Sequence, residues 1–289
     1  MNTISIHCFP HELEQYNRII SQLNLCSDYI KNKNNFKILS CLNLNQTILD
    51  IDNEEQEKYI YIYKNISKQS KLQIETTIQN VNNFLGVNEH RRHTIKESHE
   101  NDTIIFLDCD LHFSKKILGH LENSIDKIKN ILDWYIISPS LVKMWDTTWD
   151  CLVNENYLDK PLGFCNCIKN HDDIINKNYG KVYLSPVKTF KWGGGWFNAI
   201  SATLLKQIGI PNTFKGYGPD DTFTMECCKL LKKEKHKIQQ FKINNLIVCE
   251  NRNLLYTEKL FRKNIPNFRT ESEKNFHSEL NKFYIKIKT

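Results

Sequence analysis

Two clusters of acids in the chain are the residues best placed to do chemistry. Asp108-Cys109-Asp110 directly follows the apolar run Thr103-Ile104-Ile105-Phe106-Leu107, the pattern of a strand covered on both faces. Carboxylates at i and i+2 leaving a strand lie on the same side of the chain. At the carboxyl edge of a parallel sheet they face the crevice where α/β proteins bind ligands. Two hard oxygen ligands there suit a divalent cation, Mn2+ or Mg2+, bridging a diphosphate. The competing reading is a pair of solvated carboxylates in a turn, and the position after a buried strand weighs against it.

The second cluster is Gly216-Tyr217-Gly218-Pro219-Asp220-Asp221-Thr222, which leads into a helical pattern through Phe223, Met225 and Leu230. One acid at a helix start is expected from capping and the helix dipole alone. Two adjacent acids facing a metal–diphosphate site would also offer a general base for an acceptor hydroxyl. A third segment, Trp192-Gly193-Gly194-Gly195-Trp196-Phe197, spends three of the chain's ten glycines in one place. Such a run lets backbone approach a partner closely or take positive φ. Trp192 and Trp196 offer flat faces for sugar rings, and the alternative is a tight turn pinned by two core tryptophans.

The elements that position these residues alternate. Ile4–Phe9 reads as a strand stopped by Pro10, followed by a helix with Leu13, Tyr16, Ile19, Ile20 and Leu23 on one face. Phe36–Leu42 reads as a second strand running into Asn43. Tyr59–Tyr63 is β-rich, and Ile74, Ile78, Val81 and Leu85 recur at helical spacing. A helix beyond Ser114 carries Ile117, Leu121, Ile125, Ile128 and Leu132, and Trp134–Pro139 is another buried strand. A short helix opens near Ser201 and closes at Gly209. This alternation predicts an α/β fold with a mostly parallel central sheet and helices on both faces. We expect one domain over 1–289, with a ligand-binding half to about 140. The less regular remainder, about 141–289, would form an acceptor side and a C-terminal extension.

Composition narrows the function classes. With 289 residues, 40% apolar and 25% charged, the chain supports a sizeable folded core. The net charge of +6 mildly favours anionic partners, nucleotides and phospholipid surfaces among them. A peripheral membrane contact is compatible with that charge. The densest basic stretch, Lys232, Lys233, Lys235 and Lys237, reads as a solvated helix end. No aromatics interleave with it as a single-strand nucleic-acid surface requires, so nucleic acid is not an expected partner. No segment approaches the roughly 18 apolar residues of a membrane span. The N-terminus lacks the basic start and apolar stretch of a signal peptide, giving a cytoplasmic reading or that of a soluble fragment. The ten cysteines show no C-x2-C spacing and read as reduced, buried thiols. No H-E-x-x-H pattern is present, and no nucleophilic Ser/His/Asp or Cys/His constellation is evident.

A strand ending in Asp-x-Asp, a Trp/Gly-rich segment, and Gly-x-Gly-x-Asp-Asp opening a helix, in that order, resemble the GT-A glycosyltransferases. The similarity is greatest to the family-2-like and galactosyltransferase-type members, and it spans roughly residues 4 to 250. The resemblance implies a GT-A, Rossmann-like fold and transfer of a sugar from a nucleotide-sugar donor to a hydroxyl of a glycan or other acceptor. It implies that Asp108 and Asp110 hold the metal on the donor diphosphate. Asp221 matches the catalytic base, and Asp220 the acid that binds acceptor hydroxyls. Arg92 matches an arginine that contacts the donor. Phe9 and Pro10 would form the first donor loop, with Asn43 near the nucleoside. Trp192, Gly194, Gly195 and Trp196 would face the acceptor. Where relatives complete the metal site with a late His, this chain has Cys249 and Glu250, of which Glu250 suits Mn2+ or Mg2+. His93 stands where relatives show Asn after the Arg. Two rivals are a nucleotidyltransferase making a nucleotide sugar and a basic nucleic-acid-binding protein. The first would need a Gly-rich basic signature after the first strand, which Cys8-Phe9-Pro10-His11 does not supply.

Overall fold

The computed structural model describes residues 1–44, 52–79, 86–145, 151–152, 180–190, 197–215, 219–251 and 268–289. Its strands are β1 (Asn2–Cys8), β2 (Phe36–Asn43), β3 (Gln73–Gln79), β4 (Thr103–Asp108), β5 (Leu111–Phe113), β6 (Trp134–Trp145), β7 (Cys151–Leu152), β8 (Tyr183–Pro186), β9 (Phe197–Ser201) and β10 (Ile238–Asn251). Its helices are α1 (Leu13–Cys26), α2 (Asn53–Ser67), α3 (Val87–Glu97), α4 (Ile117–Ile128), α5 (Ala202–Ile208), α6 (Asp220–Lys233) and α7 (Phe268–Lys288).

The strands form one ten-stranded sheet in the order β3-β2-β1-β4-β9-β6-β10-β5, with β7 on β6 and β8 on β10. β1 to β4 are mutually parallel, and β6 pairs parallel with β10. Antiparallel β9 joins the two parallel groups, pairing β4 on one side and β6 on the other. The expected α/β class with a mostly parallel sheet is therefore what the chain adopts.

Alternation along β4 shows why both faces are covered. Ile105 and Leu107 pack with Tyr16, Ile20 and Leu23 of α1, Tyr63 of α2, and Leu121 and Ile125 of α4. Ile104 and Phe106 point the other way, toward Ile95 of α3, Leu204 and Leu205 of α5, Phe223 of α6 and Phe283 of α7. A strand with period two and no polar face can only sit between two such layers.

Two elements depart from the sequence reading. Tyr59–Tyr63 lies within α2, whose start is fixed by Asp52 Oδ1 accepting from Glu55 N at 2.8 Å, with Glu54 and Glu55 in the first turn. Ile74 and Ile78 belong to strand β3, parallel to β2 with Ile74 opposite Ile38. β3 ends the sheet's strand order and is largely exposed, so burial imposed no apolar/polar alternation to reveal it. Val81 and Leu85, the rest of that expected helix, lie outside the described residues.

Candidate functional site

The four parallel strands β1 to β4 end at the same edge of the sheet, so Cys8, Asn43, Gln79 and Asp108 share it. β4 carries Asp108 to that edge, and the turn at Cys109–Asp110 returns the chain as β5. Helix α6 opens with Asp220 and Asp221, some 110 positions later.

Arg91 of α3 joins these two acidic segments. Its Nη1 donates to Asp220 Oδ2 at 2.7 Å, and its Nη2 donates to Asp108 Oδ1 at 3.2 Å. The guanidinium also lies over the Phe106 ring, 5.6 Å from the centroid. The Arg91 and Asp220 side chains are 8% and 3% exposed, whereas Asp108 keeps 36%. Burial opposes the Arg91 charge, but Asp220 and Asp108 outweigh it and hold the group firmly cationic. Burial raises the Asp108 carboxyl, with Arg91 pulling the other way and Asp220 adding to the rise.

Helix α3 is held rigidly enough to aim Arg91. Ser5 Oγ of β1 bonds His90 Nε2 at 3.1 Å and Thr94 Oγ1 at 2.9 Å. Asn88 Nδ2 donates to Phe214 O at 3.1 Å. Arg92, the expected donor contact, turns away: its Nη1 donates to Pro211 O and Phe214 O, and its Nη2 pairs with Glu89 at 2.8 Å. Adjacent helical residues diverge by roughly 100°, so only one of the two arginines can face the acids. Arg91 faces Asp108 and Asp220, and Arg92 faces the segment after α5.

Asp221 differs from its neighbour. Its side chain is half-buried, and Oδ1 accepts from Thr222 N at 2.7 Å. Burial first, then the charge of Asp220, push its carboxyl up to about 7. Asp220 is enclosed and spent on Arg91, which gives it an internal partner where an open face toward acceptor hydroxyls was expected.

Around the Asp-x-Asp turn are groups that sequence reasoning did not single out. Glu12 Oε2 accepts from Phe9 N at 2.9 Å, and burial, with Asp108 adding to it, pushes the Glu12 carboxyl up to about 7. Arg18 of α1 donates to Cys109 O at 2.9 Å, contacts His112, and feels the charge of Asp110. His7, opposite Asp108 in register, is kept neutral by burial and by nearby His90 and Arg91. Phe9 and Pro10 are buried, and the half-buried His11 is stacked on Phe9.

At the ends of β2 and β3 is a second polar feature. Asn43 is fully buried, and neither its Oδ1 nor its Nδ2 finds a partner among the described residues. A Cβ on Gly86, just before α3, would lie 2.7 Å from Asn43 Nδ2 and 2.2 Å from Gln79 Oε1. The missing side chain leaves room for both amides. Buried amides without partners carry a desolvation cost that a ligand can remove.

For a divalent cation, Asp108 and Asp110 are the carboxylates that leave β4 at this edge. No group of three His, Cys, Asp or Glu suited to a metal occurs among the described residues. The Glu250 backbone pairs with Leu111, next to Asp110, which brings that position to the same turn. Trp192, Gly194, Gly195 and Trp196 lie outside the described residues, as do Gly216–Gly218.

No family model matches the sequence, and no curated protein matches it. Solved structures overlap it loosely. S. aureus TarS 1–349, in complex with UDP-GlcNAc, is 13% identical at a TM-score of 0.48, covering 87% of this chain and 58% of that one. GalNAc-T7 with UDP, GalNAc and Mn2+ is 9% identical at 0.47, covering 88% and 43%. A UDP-glucose pyrophosphorylase complexed with UDP-glucose is 8% identical at 0.38, covering 99% of both chains. The chain thus spans little more than half of the first and less than half of the second. Overlaps this loose assign neither family nor substrate.

Proposed function

We propose that the chain is a nucleotide-sugar-dependent glycosyltransferase, moving a sugar to a hydroxyl of a glycan or other acceptor. The observation that carries this reading is the convergence of Asp108 and the Asp220–Asp221 pair at the carboxyl edge of the parallel strands. Asn43's unpartnered amide lies at the same edge. A nucleoside would sit over the ends of β2 and β3, where Asn43 and Gln79 offer a donor and acceptors to a base edge. The diphosphate would lie toward the turn after β4. Asp108 and Asp110 would hold a divalent cation there, whose chemistry is to offset charge gathering on the leaving diphosphate. Asp221 would accept the acceptor hydroxyl's proton as that oxygen attacks C1 of the sugar and the C1–O bond to the diphosphate breaks, inverting the anomeric centre. A carboxyl raised to about 7 suits that task, since it exists in both protonation states near neutral pH.

Thermal stabilisation of the full chain by UDP-, GDP- and CMP-sugars, with and without Mn2+, tests the reading. One nucleotide class, probed through several sugars, should raise the melting temperature in a Mn2+-dependent way. Asp108→Ala and Asp110→Ala should remove that dependence. Equal stabilisation by all classes in the absence of metal would count against it.

A further inference from the structure

The guanidinium of Arg91 touches both halves of the acidic site, and its geometry bears differently on two adjacent acids. Asp220 and Asp221 are the first two residues of α6. Consecutive helical side chains diverge by roughly 100°. With Asp220 drawn inward onto Arg91 Nη1 at 2.7 Å, Asp221 must leave the helix in another direction. Its carboxylate instead accepts from Thr222 N of its own helix turn.

The same guanidinium donates through Nη2 to Asp108. An arginine fork has fixed spacing between its two nitrogens, so it sets the separation of the carboxylates it holds. Phe106 beneath the guanidinium, together with the Ser5–His90 and Ser5–Thr94 bonds behind it, restricts movement of the fork. Removing the cation would leave Asp220 buried with a charge and no partner, close to a second and a third carboxylate.

We infer that Arg91 is a positioning residue: it fixes the start of α6 against the end of β4, and thereby sets Asp221 relative to whatever Asp108 binds. This rests on the glycosyltransferase reading, in which Asp221 is the base and Asp108 is on the donor side. Misplacing a base by about 1 Å costs on the order of 100-fold in rate, so the effect should fall on kcat and leave donor binding largely intact.

The experiment compares the full chain with Arg91→Lys, Arg91→Gln and the double variant Arg91→Gln/Asp220→Asn, using the nucleotide sugar that binds best. Melting temperature, donor KM and kcat are measured for each. The double variant removes the buried unpaired charge, so its melting temperature should exceed that of Arg91→Gln. Its kcat should nevertheless stay about 100-fold below the parent, with donor KM changed only a few-fold. Arg91→Lys keeps the charge and loses the fork, and should recover less than a tenth of the parental kcat. A double variant that regains both melting temperature and kcat would show that Arg91 serves the fold alone, overturning the inference. If the parent turns over a nucleotide sugar and Asp221→Asn does not, that outcome leaves the glycosyltransferase reading standing. If the parent turns over no nucleotide sugar, both fall together.

Discussion

At the scale of single residues, the site separates acids by environment. Asp221 sits at about 7, so its ionised fraction grows as pH rises through neutrality. A base must be unprotonated to act, so kcat/KM should climb about tenfold per pH unit below that value and level off above it. Asp221→Asn should lower kcat by about 10²–10⁴-fold and abolish this rising limb. A pH–rate profile of both proteins checks it. The sign for stability is opposite. The folded carboxyl holds its proton more tightly than the unfolded one, so it burdens the fold above pH 7 and is relieved as pH falls toward 4. Asp221→Asn should therefore be more stable than the parent at pH 8 by at least about 1 kcal/mol, the gap closing near pH 4 in denaturant titrations. Arg92 makes the contrasting case, because it bonds Pro211 O, Phe214 O and Glu89 of the scaffold. Arg92→Ala should cost about 1–3 kcal/mol in urea unfolding and leave kcat unchanged in the folded protein. The sequence showed Asp108 and Asp221 because each is tied to an element boundary. It did not separate Arg91 from Arg92, since the choice depends on helix rotation set by Ser5, 86 positions upstream of Arg91. Arg18 and His112 had no local signature, because their contacts cross the fold, whereas Glu12 bonds Phe9 N within its own turn.

At the scale of elements, burial decided what was legible. β1, β2, β4 and β6 were readable because apolar runs between two layers leave no alternative period. α4, α5 and α6 were readable from their apolar stripes, and α5 closes at Gly209, whose φ is +72°. α2 and β3 were exchanged, because an exposed edge strand has little apolar pattern and a polar helix with scattered aromatics imitates one. C-terminal α7 was not anticipated. It packs Phe276 and Phe283 against Phe214 and Phe223, backing the connection from α5 to α6. The approach of α3 to β2 and β3 carries its own prediction. Only flexible amide ends crowd the space at Gly86, so Gly86→Ala should fold normally while pushing Asn43 and Gln79 out of place. Calorimetry should show nucleotide-sugar affinity lowered by about 10-fold, the loss of roughly one good hydrogen bond. Unchanged affinity would put the nucleoside somewhere else.

At the scale of the whole molecule, the two halves read from the sequence share one sheet. β9 lies between β4 and β6, and β10 carries β5 at its far side. The second half therefore builds the wall beside the Asp-x-Asp turn and also supplies α6. The lysines at 232 and 233 end α6 and those at 235 and 237 follow it, all exposed and away from its acidic start. Cys8, Cys26, Cys41, Cys109, Cys227 and Cys228 carry buried free thiols, in keeping with the reduced state expected of them. Among the described residues no helix is long and apolar enough to cross a membrane. In the proposed function a nucleotide sugar is cleaved at C1 between Asp108 and Asp221. Release of nucleoside diphosphate from a panel of UDP-, GDP- and CMP-sugars, with Mn2+ and a mixture of glycan acceptors, measures it most directly. Release should come from one nucleotide class and fall at least about 100-fold in both Asp108→Asn and Asp221→Asn. No release from any member of the panel, or release undiminished in both variants, would contradict it.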